Sequence, residues 1–79
     1  MLATAVLVLE AGAFAAAVEG ALAPEATEPI LRGRATLRRD GGAVVVTLEA
    51  DDVVALRAAV NSYLRAAVAI GGALRAAER

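Results

Sequence analysis

An α+β domain is the fold these 79 residues predict: a three-stranded antiparallel sheet with two helices on one face, in the order strand, helix, strand, strand, helix. Three observations lead there. The N-terminal run is apolar and rich in β-branched residues, a later stretch alternates with period two around Asp40-Gly41-Gly42, and a long helical pattern follows Asp51-Asp52.

The first strand is read from Leu2 to Leu9, where Val, Leu and Thr dominate and Glu10-Ala11-Gly12 ends the run. Ala13 to Leu22 follows as a helix, with Phe14, Ala17, Val18 and Ala21 at helical spacing and Glu19 facing away. Pro24 is expected to close that helix, since proline lacks the amide hydrogen and restricts the residue before it. Glu25 to Pro29 then reads as a polar linker.

From Ile30 the chain alternates. Leu31, Gly33, Ala35 and Leu37 share one face, and Arg32, Arg34, Thr36 and Arg38 the other. Asp40-Gly41-Gly42 suits a tight hairpin because these residues tolerate positive φ. Val44, Val46, Leu48 and Ala50 continue the apolar face, with Val45, Thr47 and Glu49 outside. A loop at Asp40-Gly41 pairs Leu37 with Val44, and a loop at Gly41-Gly42 pairs Leu37 with Val46. Either register keeps the apolar residues together, whereas a one-residue slip would divide them.

Asp51 or Asp52 supplies an N-cap for the last helix, which runs to the C-terminus with Arg75 and Arg79 near its end. Gly71-Gly72 weakens it by about 1 kcal/mol per Gly relative to Ala. Val53, Leu56, Val60, Tyr63, Leu64, Ala67, Gly71 and Leu74 form the predicted core stripe. The opposite side is not charged as a solvated face would be. It carries Ala58, Ser62, Ala69 and Ala76, while Arg57, Asn61, Arg65 and Arg79 keep to one flank. The whole chain, 1–79, is one domain.

Composition narrows the function. A domain of this size buries only about 60% of the surface exposed by its unfolded chain, so small domains commonly add a disulfide, a metal or a partner. There is no Cys and no His, and the hydrophobic content is 59%, which leaves oligomerisation as the stabiliser. The missing Cys also fits a reducing, cytoplasmic setting. Net charge is −1, so no bulk field draws the chain to nucleic acid. The apolar N-terminus lacks the basic start of a secretory signal, and Glu10 and Glu19 interrupt it as a membrane span.

The acidic residues are scattered apart from the capping pair Asp51-Asp52, and neither Gly-Gly pair lies between a strand and a helix as a phosphate loop requires. A non-enzymatic interaction module without a cofactor is therefore expected.

Leu22-Ala23-Pro24-Glu25, the hairpin, Ala50-Asp51-Asp52, Ala55-Leu56-Arg57-Ala58 and Asn61-Ser62-Tyr63-Leu64-Arg65 together resemble the small dimer-forming subunit of the KEOPS complex, the CTAG/Pcc family. The resemblance covers nearly the whole chain. It implies a non-catalytic, homodimeric scaffold, archaeal in type, within the machinery that makes threonylcarbamoyladenosine on tRNAs decoding ANN codons. The implied partners are a second copy, the ASKHA-fold ATP-binding transferase subunit, and tRNA through the assembled complex, whose other members are a small kinase/ATPase and a tRNA-tail-binding subunit. No membrane is involved.

Two candidate surfaces follow. Ala58, Asn61, Ser62, Arg65 and Ala69 form the candidate transferase-docking face on the last helix. Arg32, Arg34 and Arg38 on one sheet face, with Arg39 beside the turn, form a candidate tRNA-phosphate patch; a solvated strand face with Arg32 paired to Glu49 is its structural alternative. No aromatic residue interleaves the arginines, so base stacking is not expected there. The competing function is a free-standing KH-like nucleic-acid-binding module, which would need a GxxG loop between helices.

Overall fold

The computed structural model describes the backbone of residues 2–27 and 33–77 and, apart from Thr27 and residues 73–77, their side chains. Strand β1 spans Ala3–Glu10, and a 3-10 turn, Gly12–Phe14, leads into helix α1, Ala15–Thr27. Strands β2, Gly33–Asp40, and β3, Ala43–Ala50, precede helix α2, Val53–Ala77. The predicted strand start at Ile30–Arg32, the end of the linker at Glu28-Pro29 and the C-terminal Arg79 lie outside the described residues. So do the side chains of Ala73, Leu74, Arg75 and Ala76.

The sheet order is β1-β3-β2 and both pairings are antiparallel. The hairpin register sets Leu37 opposite Val46 and Asp40 opposite Ala43, which selects the Gly41-Gly42 loop. Gly41 has φ 59, as the first central residue of a type II′ turn requires. Ala11 and Gly12 both donate backbone hydrogen bonds to the Gly42 carbonyl, at 2.9 and 2.7 Å. A Cβ on Gly42 would sit 3.0 Å from the Gly12 Cα, so the hairpin tip and the end of β1 are fastened backbone to backbone.

Alternation decides what the sheet buries. Val44, Val46, Leu48 and Ala50 of β3 point to the helices and are fully buried, because β3 is central and both helices cover it. Ala15, Val18 and Leu22 of α1 and Ala59 and Tyr63 of α2 complete the core. Ala5, Leu7, Leu9, Ala35 and Leu37 on the two outer strands pack against it half-covered. On the far side of the sheet, Val45 is also buried, lying between Val8 and Arg38 on the neighbouring strands.

Two sequence expectations change. Pro24 does not end the first helix but lies within it, and α1 continues through Glu25 to Thr27. Pro24 and Gly20 both sit on the exposed side of α1. Burial of Val18 and Leu22 offsets the roughly 3 kcal/mol that an interior proline costs. On α2, the buried side is Leu56, Ala59, Val60, Tyr63, Ala66 and Ile70 rather than the broader stripe predicted. The helix is turned by roughly 50°, half of the ~100° step per residue, so Val53 and Leu64 emerge from the core. The turn carries Ser62 to the α1 side, where it meets Glu25.

Candidate partner-docking surface

Asp52 starts α2. Its Oδ1 accepts a hydrogen bond from the Ala55 amide at 2.8 Å, three residues on, which is N-cap geometry. From this start the helix presents three sides. One is the core side just described. The second meets α1: the Ser62 hydroxyl donates to Glu25 Oε2 at 2.9 Å in a half-buried position. That hydrogen bond exists because α1 runs past Pro24 and carries Glu25 up to α2.

The third side is open. Val54 and Val68 are about three-quarters exposed, at 75% and 76%, and Arg57, Ala58, Asn61, Leu64, Arg65, Ala69 and Gly72 are exposed around them. The stretch Val53–Gly72 has mean hydropathy 1.4, enough in length and composition to cross a membrane, yet only 11% of it is buried. Its Ala59–Tyr63 side closes the sheet core, so α2 is a sheet-covering helix with a large apolar remainder. α1 matches it. Ala16, Ala17, Gly20, Ala21, Ala23 and Pro24 are all exposed, leaving a helix with almost no polar side. Two adjacent helices with small side chains upward make a shallow platform that a partner helix can approach closely.

Of the five residues predicted for docking, Ala58, Asn61, Arg65 and Ala69 lie exposed on this platform. Ser62 does not: it is turned into the α1 contact and holds Glu25. Sequence reasoning missed Val54 and Val68, whose signal was present as isolated valines in an Ala-rich face. Tyr63, behind the platform, is 2% exposed and its hydroxyl has no hydrogen-bond partner among the described residues. Burial raises its pKa, and the nearby Glu25 carboxylate adds to the effect.

The arginine patch is divided. Arg34 and Arg38 share the outer sheet face, but Arg39 points to the helix side, where its Nε lies 3.9 Å from Glu19. Arg34 faces Glu49 across the hairpin, and its Nε donates to Oε2 at 2.9 Å. The selected register explains the pairing, because it sets Arg34 opposite Glu49. Arg38 lies 3.8 Å from Asp40 on its own strand. Arg32 lies outside the described residues. Exposed pairs such as these contribute about 0–1 kcal/mol each.

The chain thus runs strand β1, helix α1, hairpin β2–β3 and capped helix α2. Residues 3–70 match the family model described as transcription factor Pcc1. The chain belongs to the Pcc1 family. It is also similar to the KEOPS complex subunit Pcc1 of Pyrococcus abyssi (strain GE5 / Orsay), with 49% identity over 37 residues. That match covers 47% of this chain and 45% of the archaeal protein, so it spans less than half of either. In this Pcc1-family chain the helices are separated by the β2–β3 hairpin, not by a GxxG loop, which removes the feature a KH module would need.

Proposed function

We propose that this chain is a non-catalytic scaffold subunit of a KEOPS-type complex, acting as a homodimer in the cytoplasm. In that role it docks the ASKHA-fold ATP-binding transferase subunit that makes threonylcarbamoyladenosine on tRNAs decoding ANN codons. Membership of the Pcc1 family supports the complex. The observation that carries the docking role is the bare α1–α2 platform. An apolar two-helix surface of this extent is uncommon on a monomer and suits helices from a partner.

In this reading the platform residues take separate roles. Ala58 and Ala69 on α2, with Ala16, Gly20 and Ala23 on α1, provide the close approach; Val54 and Val68 supply apolar area. Asn61 and Arg65 give the polar contacts that fix the partner's register. Each alanine replaced by Glu places a charge in a desolvated contact, which costs several kcal/mol and so lowers affinity by more than a hundredfold.

The tRNA reaches the complex chiefly through other subunits in this reading. Arg34 and Arg38 remain candidates for phosphate contact because their side chains are 76% and 65% exposed, although a phosphate must compete with Glu49 and Asp40. The test is co-purification of the chain with an ASKHA-fold transferase partner, with Ala58→Glu and Ala69→Glu alongside. Stable co-elution of the wild type and its loss in both variants is expected. No association at micromolar concentration would remove the proposal.

A further inference from the structure

Four carboxylates among the described residues are half-buried: Glu19, Glu25, Glu49 and Asp52. In three of them something answers the charge. Glu49 accepts a hydrogen bond from Arg34 at 2.9 Å, and Glu19 lies 3.9 Å from the Arg39 Nε. Asp52 caps α2 through the Ala55 amide, at the helix end where the dipole favours an anion. Glu25 is different. Its partner is the neutral Ser62 hydroxyl, and among the described residues no arginine lies within ion-pair distance of it.

Its place in the helix sharpens the contrast. α1 ends at Thr27, so Glu25 stands in the last turn, which carries no basic residue. The dipole is negative at that end, where an anion is unfavourable and a cation favourable. The core does not answer the charge either. Burial, and then the Glu25 charge, raise the Tyr63 pKa, which sets the two groups close together. Yet the buried Tyr63 hydroxyl does not donate to the carboxylate and has no partner among the described residues. A carboxylate partly removed from water, with no cation and at the wrong end of a helix, is costly to the free chain.

The surroundings are those of a contact surface. Ser62 fastens Glu25 into the seam between α1 and α2. Along that seam Ala21 precedes Glu25 by one helical turn, and Ala58 and Ala69 share the Ser62 side of α2; all three are exposed. The seam is thus lined by small apolar side chains, with one held carboxylate among them.

We infer that Glu25 is the specificity residue of the platform, its carboxylate receiving an arginine or lysine side chain from the helix that docks there. This rests on the transferase-docking reading above and names the chemistry its partner must carry. Small apolar side chains let a docked helix slide, whereas a charge pair closed off from water fixes one register. Glu25 Oε2 is held by Ser62, which leaves Oε1 to accept from the incoming cation. A helix without that cation leaves the carboxylate buried and unanswered, so it is rejected. Phosphate is repelled from the same point.

The experiment is a binding titration of the full chain against the purified ASKHA-fold transferase, with thermal melts of the chain alone. Glu25→Gln keeps the shape and an acceptor for Ser62 and removes the charge. Its free-chain Tm should equal or exceed that of wild type, while its affinity for the transferase falls tenfold or more. One Arg→Ala or Lys→Ala change on the transferase helices should cost a similar factor against wild type and little further against Glu25→Gln. Undiminished binding by Glu25→Gln overturns the inference; if Ala58→Glu still abolishes binding, the docking reading stands. A weakened Glu25→Gln whose Tm has dropped, or whose loss couples to no transferase cation, also overturns it, because the carboxylate then serves the fold of this chain. A wild-type chain that does not bind removes both readings.

Discussion

Replacing Tyr63 by Phe tests how tightly the two helices close over the core. The ring is 2% exposed and packs in the main cluster, while its hydroxyl is buried without a partner among the described residues. A desolvated hydroxyl with no hydrogen bond costs roughly 1–3 kcal/mol, and Phe keeps the ring and removes that cost. The variant should gain about 1 kcal/mol, which in a domain of 60–100 residues raises Tm by about 4–8 °C. Thermal and urea melts at neutral pH measure it. There is a pH arm as well. Burial and Glu25 hold the Tyr63 pKa above its usual 10.0, so the folded state keeps the proton where the unfolded state has lost it. That contribution is complete below about pH 10 and is lost as pH rises through the folded-state pKa. Wild-type stability should fall on that alkaline side, and Tyr63→Phe should lack this component. A Phe variant destabilised by more than about 1 kcal/mol would refute the reasoning, because it would mean the hydroxyl holds a buried partner.

Other perturbations probe separate links. Leu48→Ala removes a fully buried side chain from the central strand and should cost about 2–5 kcal/mol, enough to unfold much of so small a domain in equilibrium melts. Asp52→Ala removes the acceptor for the Ala55 amide and should cost about 1 kcal/mol by the same assay, with Asp52→Asn nearly neutral. Arg34→Glu with Arg38→Glu should lower tRNA affinity of the assembled complex and flatten its dependence on salt; unchanged affinity and slope would take direct contact away from this face.

The sheet was legible in the sequence because strand alternation has a strict period: Val44, Val46 and Leu48 could only share a side, and two glycines after Asp40 could only be a turn. Which two residues formed the loop was not legible, since both registers kept the same faces. The fastening of Gly42 to Gly12 joins residues distant in sequence and left no local signal. Pro24 misled for a physical reason. Its breaking effect is local, and the burial of Leu22 that overrides it is tertiary. The α2 face was half legible. Ala58 and Ala69 were placed outward correctly, but an Ala-rich helix gives a shallow hydrophobic contrast, and the rotation that buries Ser62 depends on Glu25 from another helix. Arg39 went to the opposite side from Arg38 simply because neighbours on a strand alternate.

The central claim is that the α1–α2 platform holds the transferase subunit, and a binding titration of the two purified proteins tests it most directly. Wild type and Val8→Glu should bind with matching affinity, and Ala58→Glu and Ala69→Glu should each lose more than a hundredfold while remaining folded and dimeric. Full-strength binding by both platform variants, or loss of binding in Val8→Glu alone, would contradict the account.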